Sequence, residues 1–238
     1  MQNPTYTLET KLLKNHRFIA GVDEVGRAPL AGPVVAAAVI LSPEMVGRYR
    51  SKTKWWRDVR DSKTLSPRMR GSIAQFIHRN ALDFAVGECS HKEIDELNIH
   101  NASLLAMRRA VEQLNLWPKI VLVDGLHAIP GLAIRQQAII QGDAKILSIA
   151  AASILAKVYR DSLMQKYGEH FPEYGFENHK GYDTEFHRNQ LYQHGPCAIH
   201  RLTFGPVREA MNERFSSILS SRTPSSRSDA ARIATGQA

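Results

Sequence analysis

The stretch FIAGVDEVGRAPLAGPVVAAAVIL, residues 18–41, decides the reading of this chain. Two apolar runs flank a turn rich in glycine and proline, and each run has the length of a strand. Near-continuous apolar character marks strands buried on both faces, because a strand with one wet face alternates. The first run stops at two adjacent carboxylates, Asp23 and Glu24, and Gly26-Arg27-Ala28 follows. A carboxylate at a strand end is usually just solvated. A pair of them where a core strand stops asks for a chemical reason.

Working outward, Ser66-Pro67 predicts a helix start, with serine as N-cap and proline at the first helical position. LDFAVGEC reads as a third strand. Leu104, Leu105, Met107, Val111 and Leu114 fall at helical spacing. KIVLVDG reads as a short buried strand ending in a turn, and QQAIIQGD as another. AKILSIAAASILAKVYRD, after Asp143, reads as a strongly amphipathic helix. Residues 174–205 suggest short helices and ordered loops, and PVREAMNERFSSIL a further helix. Strands mixed with helices place the chain in the α/β class, with antiparallel strands first and crossovers later.

The 238 residues and 43% hydrophobic content suffice for one buried core. The expected organisation is an N-terminal extension over 1–16, a catalytic domain with C-terminal helices over 17–220, and a disordered tail over 221–238, which is rich in Ser and Arg. No apolar run spans a membrane, and the start MQNPTYTLETKLLKNHRF has no signal-peptide segment. Two cysteines, Cys89 and Cys197, make neither a disulfide framework nor a metal knuckle, so a reducing cytoplasm is expected. The net charge of +8 suits a polyanionic partner. Lys52, Lys54, Arg57, Arg60 and Lys63 crowd one stretch with Trp55 and Trp56, which are read as packing a loop. His179-Lys180 and His200-Arg201 add positive residues elsewhere, while His100, His170 and His187 show no metal spacing and are read as structural.

Asp23, Glu24, Asp124 and Asp143 each lie at the end of an apolar strand or just before a helix. Singly, Asp124-Gly125 is a common turn pair and Asp143 is placed to cap the helix after it. If the strands ending at Asp23 and Asp124 are parallel neighbours, their carboxylates converge at one sheet edge, where α/β proteins bind ligands. Carboxylates held together repel unless cations neutralise them, and oxygen-only ligands select Mg²⁺ or Mn²⁺. Two such ions roughly 3.5–4 Å apart support phosphodiester hydrolysis. A basic chain with an acidic metal centre therefore reads as a nuclease.

GVDEVGRAPLAGPVVAAAVIL, DSKTLS (61–66), VLVDG (121–125), GDAKILSIAAASILAKVYRD (142–161), YGFENHKGY (174–182) and HRLTFGPV (200–207) occur in the order seen in type 2 ribonucleases H, which the chain resembles over about residues 17–215. The resemblance implies a ribonuclease H-like fold: a central mixed sheet flanked by helices, with a small helical C-terminal region. It implies an endonuclease that cuts the RNA strand of RNA–DNA hybrids, and cuts on the 5′ side of ribonucleotides embedded in duplex DNA, leaving 3′-hydroxyl and 5′-phosphate ends. The enzyme is expected to act as a monomer with Mn²⁺ or Mg²⁺.

By the same resemblance Asp23, Glu24, Asp124 and Asp143 are the metal-binding, catalytic acids. Gly26-Arg27-Ala28 answers to a Gly-Arg-Gly motif that reads the ribose 2′-hydroxyl, the group that distinguishes RNA from DNA. Ala28 departs from that pattern, as Leu126 does where the family often has Asn. Tyr182 matches a tyrosine that packs on the sugar after the ribonucleotide, and Lys63 and Lys180 are candidate phosphate contacts. The Gly-Arg turn and HKGY argue against a type 1 ribonuclease H or a junction resolvase. Too few residues precede Phe18 for the extra domain of a type 3 enzyme. The intact acids argue against a non-catalytic hybrid-binding protein.

Overall fold

The computed structural model describes residues 3–44, 59 and 65–222. The expectations for Lys63, for Trp55 and Trp56, and for the tail after Arg222 lie outside the described residues.

Five strands form one mixed sheet in the order β3-β2-β1-β4-β5: β1 (Ile19–Val25), β2 (Val34–Ile40), β3 (Asp83–Cys89), β4 (Ile120–Asp124) and β5 (Arg135–Ile139). The first three pair antiparallel; β4 lies parallel to β1 and β5 parallel to β4. Every residue of β2 is buried, as its unbroken apolar run predicts, because helices cover both faces. The edge strand β5 departs from its reading as a buried strand. It pairs on one side only, and Arg135, Gln137 and Ala138 are exposed.

Around the sheet lie α1 (Thr7–Leu12), α2 (Pro67–Asn80), α3 (His91–Leu97), α4 (Ile99–Glu112), α5 (Leu147–His170), α6 (Phe176–His179), α7 (Glu185–His194) and α8 (Gly205–Arg222). Ser66 caps α2 as expected, its hydroxyl accepting the Met69 N–H at 3.3 Å behind Pro67. On one face α4 packs against β2 and β3; on the other α5 crosses β1 and β2.

Helix α5 is not amphipathic over its first half, because residues 147–156 are all buried. One side lies on the sheet while α2 and Tyr6 cover the other, so no solvent face remains. Small residues permit the approach: a Cβ on Gly21 of β1 would lie 2.3 Å from the Ser148 carbonyl carbon. Residues before β1 join this core too. The Tyr6 hydroxyl donates to Leu41 O, and the buried Glu9 carboxylate accepts both the N–H and the hydroxyl of Ser148. Among the described residues no helix is long and apolar enough to cross a membrane.

Helices α6–α8 surround a satellite core of Met164, Tyr174, Phe176, Leu191 and Val207, which also takes in Leu30 and Ala31 from the turn after β1. That packing brings the Lys180–Tyr182 segment beside the carboxyl end of β1.

Candidate metal centre and substrate cleft

Val22 of β1 faces Val123 of β4 in a parallel ladder. The next residues on the two strands, Asp23 and Asp124, therefore leave the sheet at the same end. Carboxylate oxygens of Asp23, Glu24 and Asp124 all lie within 4.8 Å of one another. Asp23 is 5% exposed. Burial pushes its carboxyl well above the usual carboxylate range, and the neighbouring Glu24 and Asp124 push it further; a bond from the Ser153 hydroxyl opposes them. Burial raises Glu24 as well, against the pull of Arg27, whose Nη1 sits 3.2 Å from Glu24 Oε1. Crowded acids in a site that penalises their charge fit a divalent cation, and an all-oxygen donor set suits a hard one.

Asp143 is placed by Asp124. The Asp124 Oδ1 accepts the Gly142 N–H at 2.6 Å and the Asp143 N–H at 3.3 Å, which fastens the 3₁₀ turn Gly142–Ala144 to the end of β4. The simple capping role for Asp143 is not what the fold uses, because Ile146 is the N-cap of α5 and no side chain caps it. Asp143 lines the same cleft but stands outside the tight trio.

The cleft has a volume of about 590 Å³. Gly26, Arg27, Ala28 and Tyr182 line it with the four acids, so the structure gathers these residues from four separate segments. Tyr182 is 36% exposed, and its ring centroid lies 5.8 Å from Lys157 Nζ. Lys180 does not line the cleft. It adopts a left-handed conformation, and its ammonium turns back to the Glu177 carbonyl.

Three polar lining residues escaped the sequence reading: Arg70, Ser153 and Lys157. Ser153 and Lys157 are four apart on α5 and so share a face, a spacing that could have flagged Lys157 once Ser153 was placed. Asp161, four further on, bonds Lys157 at 2.7 Å and lies 3.7 Å from Arg70. Nothing in the local sequence of α2 marks Arg70.

Two residues counted as surface charge are buried instead. His200 and Arg201 are 1% and 0% exposed. The Arg201 guanidinium donates to the carbonyls of Gly26 (2.6 Å), Arg27 (2.9 Å) and Gly32 (3.0 Å), and burial lowers its pKa to about 9. Arg160, equally buried, donates to the carbonyls of Ala31, Pro33 and Lys180. His200 Nε2 lies 2.9 Å from His187 Nε2; Cys197 N–H donates to His200 Nδ1, and His187 Nδ1 lies 2.9 Å from the Tyr182 carbonyl. This chain of partners fixes both tautomers. His200 accepts at Nδ1 and donates from Nε2, so His187 accepts at Nε2 and donates from Nδ1 to Tyr182 O.

A family model described as ribonuclease HII matches residues 20–207. The ribonuclease HII of Syntrophotalea carbinolica is 46% identical over 209 residues, covering 87% of this chain and 94% of that protein. The protein named ribonuclease HII 2 in Methylibium petroleiphilum is 51% identical over 197 residues, covering 83% and 86%. The crystal structure of ribonuclease H2 from Pyrococcus horikoshii superposes with a TM-score of 0.70 at 26% identity, covering 84% of this chain and 99% of that one.

Proposed function

The chain belongs to the ribonuclease HII family, and from that premise we propose that it cuts on the 5′ side of ribonucleotides embedded in duplex DNA, leaving 3′-hydroxyl and 5′-phosphate ends. Its coarser activity follows from membership: it is a divalent-metal-dependent endonuclease of the ribonuclease H type, acting on RNA–DNA hybrids.

The observation that carries the reading is the register of β1 and β4, which sets Asp23 beside Asp124 at the mouth of a cleft whose other wall is the Gly26–Ala28 turn. Asp23, Glu24 and Asp124 would hold the metal, with Asp143 closing the site. When bound, the metal supplies Lewis-acid chemistry, making a water more acidic and neutralising charge on the leaving oxygen. The protein supplies positioning. Lys157 and Arg70 offer positive charge to the phosphates, and Asp161 keeps both side chains in place. The Tyr182 ring offers a flat face to a sugar, and a 2′-hydroxyl on that sugar would crowd it. The Gly26–Ala28 turn offers backbone to the ribonucleotide itself. Lys180 serves the site through its backbone, because its ammonium is engaged at Glu177 while its carbonyl accepts from the buried Arg160 behind the turn. All four acids come from one chain, which supports a monomeric enzyme, and the free cysteines support a cytoplasmic one.

The test is to incubate the protein with duplexes carrying one ribonucleotide, four ribonucleotides or a full RNA strand, with Mg²⁺ or Mn²⁺, and to map the cuts. A single incision 5′ to the lone ribonucleotide is expected. Cleavage confined to the full RNA strand would overturn the embedded-ribonucleotide reading and leave the coarser activity standing.

A further inference from the structure

Arg201 is a fully buried cation whose hydrogen bonds all go to main-chain carbonyls, two of them in the turn that lines the cleft. It does not itself line the cleft and reaches the turn from behind. A guanidinium suits this place because its planar fork spans several acceptors at fixed angles, which an ammonium cannot do. Among the described residues no peptide bond is cis, so in each of these peptides the N–H points opposite to the C=O. Drawing the Gly26 carbonyl inward turns the Arg27 N–H outward, and drawing in the Arg27 carbonyl does the same for the Ala28 N–H. Gly26 makes this possible: its φ is +93°, and a Cβ there would lie 2.2 Å from Arg160 Nε.

We propose that Arg201 is a positioning residue for ribonucleotide recognition, holding the Gly26 and Arg27 peptides so that the amides of Arg27 and Ala28 face the cleft as hydrogen-bond donors to the ribose and its phosphate. The proposal rests on the reading of the Gly26–Ala28 turn as the part of the cleft that meets the ribonucleotide. It separates orientation from simple anchoring, because the 200–203 segment is also pinned elsewhere. Asp95 accepts the Leu202 N–H at 2.8 Å and the Thr203 N–H at 3.0 Å, far from the turn in the hydrogen-bond pattern.

The experiment compares wild type, Arg201→Lys and Asp95→Ala on a duplex with one ribonucleotide and on a full RNA–DNA hybrid. Arg201→Lys is expected to lose about tenfold or more in kcat/KM on the single ribonucleotide and far less on the hybrid, where neighbouring contacts compensate. Its Mn²⁺ activation midpoint should not move. Asp95→Ala should lower the melting temperature and leave the ratio between substrates as in wild type. Equal losses on both substrates, or the same ratio change in Asp95→Ala, overturns the proposal in favour of plain anchoring. If Arg201→Lys does not fold, the wild-type protein still decides. Amide resonances of Arg27 and Ala28 are followed with Ca²⁺ in place of the activating metal, while a single-ribonucleotide duplex or its all-DNA counterpart is added. Larger shifts of both amides with the ribonucleotide support the outward orientation, and equal shifts overturn it. A wild-type response that survives intact in a folded Arg201→Lys would sink the role of Arg201 alone and leave the turn as the reader.

Discussion

The Asp124 carboxylate accepts the amide of Gly142 at 2.6 Å, so an acid of the proposed metal centre also holds the turn that carries Asp143. The fourth acid is thus positioned by the third. This makes the site hierarchical: Asp23 and Asp124 are set by strand register, Glu24 by its place next to Asp23, and Asp143 by a turn that is fastened to Asp124 and to the start of α5.

That hierarchy predicts unequal mutational effects. Asp23→Asn should reduce cleavage to below about one-thousandth, while hybrid binding survives. Asp143→Asn, outside the tight trio, should cost about ten- to a hundredfold and raise the metal concentration needed for half-maximal rate. Without metal, Asp23→Asn should melt at the same temperature as wild type or higher, because it removes a charge that burial and two neighbouring acids disfavour. Steady-state rates over a metal titration, with thermal melts in chelator, check both parts. Equal losses in the two variants would show that Asp143 is as central as Asp23.

Tyr182 separates a substrate contact from a core tyrosine. Its ring is partly exposed at the cleft, and its backbone is held from behind by the His179 carbonyl and by His187. Tyr182→Ala should therefore leave the melting temperature within a few degrees of wild type and slow cleavage of single-ribonucleotide duplexes by about tenfold or more. A variant that melts much lower yet cleaves normally when folded would mean that the ring only packs.

What was legible in the chain was what local sequence controls. Runs of apolar residues located β1, β2 and β4, the Ser66-Pro67 pair located a helix start, and acids at strand ends pointed to one sheet edge. What stayed hidden depends on partners distant in sequence. Arg201 looked like surface charge because its acceptors are carbonyls about 170 positions away, and a carbonyl leaves no mark on residue identity. The first half of α5 looked amphipathic because its spacing says nothing about how many neighbours will cover it. Strand β5 looked buried because apolar residues flank its polar start, whereas edge position is a property of the whole sheet. Arg70 and Lys157 reach the cleft from helices whose own patterns are ordinary.

The His187–His200 pair makes acid stability measurable. Burial depresses both imidazoles, His187 to about 4 and His200 to about 3, from an ordinary value of 6.5. Between those values and 6.5 the unfolded chain binds protons that the folded chain refuses. Stability from this pair is therefore present above about 6.5 and falls as the pH drops through about 4. Each group contributes at most about 1.4 kcal/mol per pH unit inside its window, and the two titrate as a coupled unit because they share one hydrogen bond. Urea unfolding from pH 7.5 to 4.5 should show this slope in wild type and a shallower one in His200→Gln. An unchanged slope in that variant would assign the acid sensitivity elsewhere.

Ala28 supplies the last prediction. Its φ is not among the positive values that this structure records, so its methyl carries no left-handed strain. Ala28 is exposed and lines the cleft, and if the turn reads the ribose as proposed, its methyl would stand where backbone otherwise meets it. Losing one backbone contact to a 2′-hydroxyl costs on the order of 1 kcal/mol, or about fivefold to tenfold in kcat/KM. Ala28→Gly should recover that factor on single embedded ribonucleotides and gain little on long hybrids, where many contacts share the selection. The variant should also lose a few tenths of a kcal/mol of stability, because glycine gives the unfolded chain more conformations to lose. Measuring kcat/KM for both proteins on both substrates decides it. Equal values throughout would mean that the turn meets the ribose without passing Ala28, and that the methyl faces open solvent.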